Sequence, residues 1–319
     1  MKFLSLQAAA SVAAIAAVQM LCVSTAAAEE DYFEPRAMAM GGAVRILGVD
    51  TSAVHLNPAL VAQNKVYLSS VAYQLNVREK SHRFSVGAAD GKTSAFGMGT
   101  KYTIHTYEPP FDPSLDVRWY SPGDLELEDR RTTHRWDIAF AYGFLDRHIN
   151  LGVTARVIRQ DNEIRDNLTK FTIDAGVTFW PVEIVGFGFS AQNLIPTGLG
   201  RFPIRISPGF AVKMGDVFMF GLDAVVDFTS SPLEAGKYVD LRAGLELNPM
   251  QFLAFRGGFY TDRQFLDTYV TWGLGFMLNQ LRVNWGMRVE VGDLDKRLRE
   301  DKPEPDNRIL VTFGIELAF

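Results

Sequence analysis

From Lys65 to Phe319 the chain alternates apolar and mixed positions with a period of two. In the final stretch Ile309, Val311, Phe313, Ile315, Leu317 and Phe319 share one parity, while Arg308, Leu310, Thr312, Gly314, Glu316 and Ala318 share the other. Successive side chains of a strand point to opposite faces, so this pattern predicts strands with one apolar and one mixed face. About fourteen such segments follow one another, near 65–78, 82–90, 94–105, 135–144, 148–160, 169–179, 184–193, 204–213, 217–229, 238–247, 252–261, 268–277, 281–291 and 307–319. Trp136, Ile138, Phe140, Tyr142 and Phe144 form one apolar parity, and Leu281, Val283, Trp285, Met287, Val289 and Val291 form another. Strands of soluble proteins average about five or six residues. These run to about ten, the length that crosses a bilayer at a tilt.

The connections alternate too. One set is short, such as Gly91-Lys92-Thr93, Met214-Gly215-Asp216 and Leu278-Asn279-Gln280; the other is mostly longer and polar, notably 106–134, 194–203, 230–237 and 292–306. Short turns on one side and long loops on the other, with an even strand count, predict an all-β fold: a transmembrane antiparallel β-barrel of the outer-membrane type. Both barrel ends then lie at the periplasmic, short-turn rim. Phe144, Phe179, Trp180, Phe218 and Phe319 near the short turns, and Trp136, Phe228 and Phe259 near the long loops, are expected to form the two aromatic girdles.

The N-terminus fits export. A basic Met1-Lys2 precedes an apolar run to about Val23, then Ala26-Ala27-Ala28, which predicts a signal peptide over residues 1–28. The only cysteine, Cys22, lies inside it, so cleavage after Ala28 leaves no thiol chemistry. Hydrophobic residues are 47% of the chain and the formal charge is −5. No basic stripe is present, which argues against a nucleic-acid partner.

Residues 29–64 do not alternate. They read as a short helix ending at Gly41-Gly42 and a second, capped by Asp50 or Thr51, that stops before Pro58. An ordered, small-residue segment before the first strand predicts an N-terminal lumenal plug ahead of a barrel over 65–319; an unstructured tail is the alternative. Here the chain resembles a known family. Arg36-Ala-Met-Ala-Met-Gly-Gly-Ala43, followed by Asp50-Thr-Ser-Ala-Val-His-Leu-Asn-Pro-Ala59, is similar to the N-terminal signature of FadL-like outer-membrane proteins. Ser190-Ala-Gln-Asn-Leu194, Leu241-Arg-Ala-Gly244 and Thr271-Trp-Gly-Leu-Gly-Phe276 lean toward its PorV/PorQ branch. The resemblance implies a fourteen-strand barrel, a plug ending in Asn57-Pro58-Ala59, and a strand that kinks to open a lateral exit, best matched by Gly97 and Gly99.

Polar positions of inward parity include Asp240, Arg242, Glu246 and Arg256, alongside Arg156, Asp174, Asp223, Asp227, Arg282, Arg288, Glu290 and Glu316. They either pair to close the lumen or line a polar path. Leu241-Arg242-Ala243-Gly244 and Phe255-Arg256-Gly257-Gly258 are near-copies, and a four-residue turn between their strands would set the two arginines face to face. In the loop 106–134, Phe111 and Trp119 stand among prolines and aromatics and are candidates for capturing an apolar ligand. His105 and His134 flank that loop, but no serine is positioned beside them, so no catalytic residue is assigned and no metal or cofactor is expected. The function expected is passage of small hydrophobic compounds across the outer membrane. The alternative is a PorV-like scaffold or shuttle that serves a protein of a secretion or surface-assembly machine. Outer-membrane lipid is the constant partner.

Overall fold

The computed structural model describes residues 33–48, 50–77, 81–107, 131–162, 167–197, 202–228, 230–231, 234–235, 238–262, 267–293 and 309–319. The signal-peptide region, Phe111, Trp119 and most of the loops 106–134 and 292–306 lie outside them.

Fourteen strands close into one antiparallel barrel. They are β1 Tyr67–Asn76, β2 Ser81–Asp90, β3 Phe96–Tyr107, β4 Arg131–Phe144, β5 Ile149–Asn162, β6 Leu168–Val182, β7 Val185–Gln192, β8 Ile204–Met214, β9 Phe218–Phe228, β10 Tyr238–Met250, β11 Leu253–Asp262, β12 Asp267–Leu278, β13 Leu281–Asp293 and β14 Ile309–Ala318. Each strand pairs with its sequence neighbours, and β14 closes on β1 through pairs such as Val71 with Ile315. Closure removes every sheet edge, which a wall in lipid requires because no water is there to satisfy free backbone groups. At the seam, Tyr67 and Phe319 exchange backbone hydrogen bonds of 3.0 and 3.1 Å, and their rings meet at 6.1 Å. A ribbon of Ser230–Ser231 and Glu234–Ala235 stands apart from the wall.

The two faces of the wall are inverted relative to a soluble protein. Val71, Tyr73, Phe84, Phe140, Leu151, Phe171, Phe255 and Phe313 are exposed, whereas Ser85, Lys101, Asp137, Arg156, Glu246 and Glu316, on the opposite parity, are buried. Period two sends the apolar set outward and the polar set inward.

The parity also corrects one aromatic. Phe179 points out, 44% exposed, so its neighbour Trp180 must point in, and it is 7% exposed. A register shift between Phe179 and Val182 accompanies this turn. Trp180 is therefore an inward residue at the short-turn rim, not part of the outer girdle.

Residues 33–64 form three short helices: α1 Pro35–Ala39, α2 Ala53–Leu56 and α3 Ala59–Gln63. Two of them fall where the sequence reading placed helices, and α2 ends before Pro58 as proline demands, but its N-cap position is Ser52, without a side-chain cap, rather than Asp50 or Thr51. The third, on Ala59-Leu-Val-Ala-Gln, carries no pattern that announced it. Nearly every residue of the segment is buried. Helix α1 touches β11 to β14 and α3 touches β2 to β6, so the segment meets both sides of the barrel interior.

Candidate functional site

The lumen is the only part of the described molecule where charged side chains converge in bulk, and the N-terminal segment runs through it. Glycines on the wall let its backbone approach. Gly152 and Gly176 are register partners on β5 and β6. A Cβ on Gly152 would collide with the Pro58–Ala59 peptide, and one on Gly176 with the Asn57 side-chain oxygen. Asn57-Pro58-Ala59 thus sits in a notch that only glycine leaves open. Asn57 holds the segment's own shape as well: its Nδ2 donates to the Arg45 carbonyl at 2.7 Å and its Oδ1 accepts from the Ala59 N–H at 3.2 Å. A second notch, Gly244 opposite Gly258 on β10 and β11, receives Met40 and Gly41. Gly41 itself has φ +61°, where a side chain is strained.

At Gly97 and Gly99, where a kink is expected, β3 pairs with β4 through both glycines, and with β2 as far as Met98, in unbroken register. The space these glycines leave is taken by Val61 and Ala62 at Gly97 and by Val54 at Gly99. They act here as the notches do, as room for the inner segment.

Three ion clusters tie segment to wall. In the first, Glu34 accepts from Lys101 Nζ at 2.7 Å and from Thr51 and Ser85 hydroxyls at 3.2 Å. In the second, Arg36 makes a two-pronged bond to Glu246, both contacts 2.7 Å. Arg256 also donates to Glu246 at 2.6 Å and to Asn284 at 2.9 Å. In the third, Arg156 bonds Asp137 and Asp174, each at 2.5 Å, and donates to the His55 carbonyl at 3.4 Å. Gln192 adds a 2.6 Å bond to the same carbonyl. Arg45 faces Asp223, with its N–H on the carboxylate at 3.1 Å. Buried charges are retained only when matched and hydrogen-bonded in this way.

Asp50 lies near the first cluster. One of its oxygens accepts from Ser52 N–H at 2.8 Å, and the other, Oδ2, is buried with no hydrogen-bond partner among the described residues. Burial first, and then the Glu34 carboxylate, push its carboxyl above the usual carboxylate range; Lys101 opposes them.

All four expected lumenal charges point inward, but Arg242 and Arg256 do not face each other. Arg256 is the register partner of Glu246, and Arg242 of Tyr260. The strands continue to Met250 and Leu253, with a register shift between Leu247 and Met250, so the connection is shorter than a four-residue turn and the pairing slides. An acid therefore stands where a second arginine was expected, and no like-charge contact arises. Arg242 lies 3.8 Å from Asp240 and over the rings of Phe33 and Tyr260, at 5.3 and 5.4 Å. Tyr260 stacks on Tyr269 at 4.6 Å, with Arg288 across both rings. This cation–aromatic stack was not foreseen, because it joins residues from four elements.

His105 and His134 do not meet either. They sit on adjacent strands but on opposite faces: His105 is buried inside, while His134 pairs on the outer face with Tyr102, at 2.7 Å. Among the described residues no group of histidine, cysteine or acidic side chains has the makings of a metal site. Lys101 and Asp137 were missed, although both lie on the inward parity. Glu34 and Arg45 belong to the non-periodic segment, where alternation says nothing.

At the short-turn end the lumen opens into a cavity of about 640 Å³ that reaches in to Arg36, Leu68 and Met219.

No protein-family model matches the sequence, and no curated protein matches it at sequence level. Solved structures do match its shape. The Ralstonia pickettii toluene transporter TbuX superposes with a TM-score of 0.65 at 12% identity, covering 90% of this chain and 98% of that one. A Pseudomonas aeruginosa FadL homologue gives 0.65 at 11%, covering 92% and 99%. The Pseudomonas putida toluene transporter TodX gives 0.65 at 9%, covering 91% and 98%. The fold is that of FadL-type barrels. At these identities the likeness is one of architecture, and it extends over almost the whole length of each neighbour.

Proposed function

We propose that this chain passes small hydrophobic compounds across the bacterial outer membrane through a barrel whose lumen is plugged by residues 33–64. The supporting observation is the combination of a fold shared with toluene transporters and an interior closed by bonded ion clusters. In this reading Asn57-Pro58-Ala59 anchors the plug, and Glu246, Arg256 and Lys101 hold it against the wall. Phe111 and Trp119 make the first contact with the solute from the outer loop. No observation favours a scaffold role in secretion, and that alternative is set aside. Cells that carry the chain in their outer membrane are expected to take up a neutral monoaromatic hydrocarbon faster than cells lacking it. Equal rates, with folded barrel present, would overturn the proposal.

A further inference from the structure

The outward face of the wall is mostly apolar, and its charges gather in one place. Above the short-turn rim, Arg159 and Asp161 on β5 are the only charged side chains of that face among the described residues. On β10 to β13, across the barrel, exposed Val239, Leu241, Phe259, Val270 and Val291 hold the outer half. Arg159 is the register partner of His134 on β4 and of Thr169 on β6. Asp161 is the partner of Thr132, which pairs in turn with Thr106 on β3. Side chains of register partners on one face lie about 5 Å apart, so these residues form one polar island.

Its height on the wall follows from the strand. Arg159 stands about ten residues above Ile149, at the short-turn end of β5. At about 3.3 Å per residue and a tilt of about 40°, the rise is about 25 Å, the height of the apolar band of such barrels. One step below lie Tyr102, Trp136 and Phe171, exposed aromatics at the level of the outer girdle. An arginine facing outward is tolerated at this level and costly at the midplane. The island therefore meets the headgroups of the outer leaflet.

Its internal bonds aim the arginine. Asp161 accepts from Arg159 Nε at 2.9 Å, and its other oxygen lies 3.5 Å from His134 Nε2. The Tyr102 hydroxyl meets His134 Nδ1 at 2.7 Å. Asp161 thus holds the guanidinium from one side. The terminal nitrogens Nη1 and Nη2 have no hydrogen-bond partner among the described residues, on a side chain that is 60% exposed. The hydroxyls of Thr106, Thr132 and Thr169 have none there either.

We infer that this island is a docking site for the phosphorylated sugar headgroup of an outer-leaflet glycolipid. A phosphate accepts from Arg159 Nη1 and Nη2, in the forked geometry that planar guanidinium favours. The threonine hydroxyls bond the sugar hydroxyls around it, and the acyl chains lie along Trp136 and Phe171. Charge complementarity selects this partner over a neutral lipid, and the row of hydroxyls selects it over a phosphate on a bare glycerol. The inference rests on the barrel's place in the outer membrane and is independent of what the barrel transports.

The test is native mass spectrometry of the full chain, titrated with bisphosphorylated lipid A, with lipid A stripped of its phosphates, and with phosphatidylglycerol. The phosphorylated glycolipid is expected to be retained at least about fivefold more tightly than either of the others. Arg159→Gln is expected to weaken its binding about tenfold, the loss of a charge-assisted contact. The same variant is expected to leave hydrocarbon uptake by cells unchanged, which separates this site from the transport reading. The lipid comparison on the parent needs no variant, so it carries the test alone if Arg159→Gln fails to fold. Equal retention of the two glycolipid forms, phosphatidylglycerol held as tightly as the phosphorylated form, or full binding in folded Arg159→Gln would overturn the inference. So would a dimer that Arg159→Gln abolishes, because the occupant would then be a second copy of the chain.

Discussion

Two arginines from different parts of the chain, Arg36 of the inner segment and Arg256 of the wall, end on Glu246. Removing its charge strands both guanidinium groups in a buried site. Breaking a buried pair by deleting one partner costs about 3–5 kcal/mol. Glu246→Gln is therefore expected to lower the midpoint of heat modification on gels markedly, and Arg36→Met with Glu246→Met to recover part of the loss. Unchanged mobility in Glu246→Gln would show that the cluster does not hold the fold. Asp50 gives the pH dependence. Its folded carboxyl titrates above its ordinary value, so the folded state holds a proton that the unfolded chain releases. That contribution is complete below the usual carboxylate value of about 4 and is lost as pH rises above it. Asp50→Asn is expected to flatten this fall and to raise stability at neutral pH; a pH profile identical to the parent's would contradict it. The inward set to which Glu246 and Arg256 belong was legible from parity alone. Their mutual contact was not, because it depends on a turn closing two or three residues later than the sequence suggests.

At the scale of elements, alternation located all fourteen strands to within a few residues, since a two-residue period with one apolar face leaves little freedom of register. It failed where a strand bends: Trp180, beside a register shift, reads as girdle and lies inside. The inner segment was legible only in its breakers, glycine pair and proline, and not in its packing. Its docking depends on glycines spread over distant strands that come together only when the barrel closes. Gly152→Val is expected to dislodge Asn57-Pro58-Ala59 without breaking the wall, because valine suits a strand but not the close approach. A cysteine at position 59 should then become reactive to an aqueous maleimide in the Gly152→Val background and stay protected in the parent. Protection in both would mean that the notch does not seat the motif.

For the whole molecule the question is what a barrel with a filled interior admits. Deleting residues 33–60 is expected to turn a chain that is silent in planar bilayers into one with steady ionic conductance, since the clusters that fill the lumen lose their inner half. If the parent already conducts as the deletion does, the segment is no barrier. The most direct test is parallel uptake, in the same cells, of a radiolabelled neutral aromatic hydrocarbon and of a neutral polar solute of similar size. The chain is expected to accelerate uptake of the hydrocarbon and leave the polar solute unchanged. Acceleration of the polar solute with no effect on the hydrocarbon would contradict this.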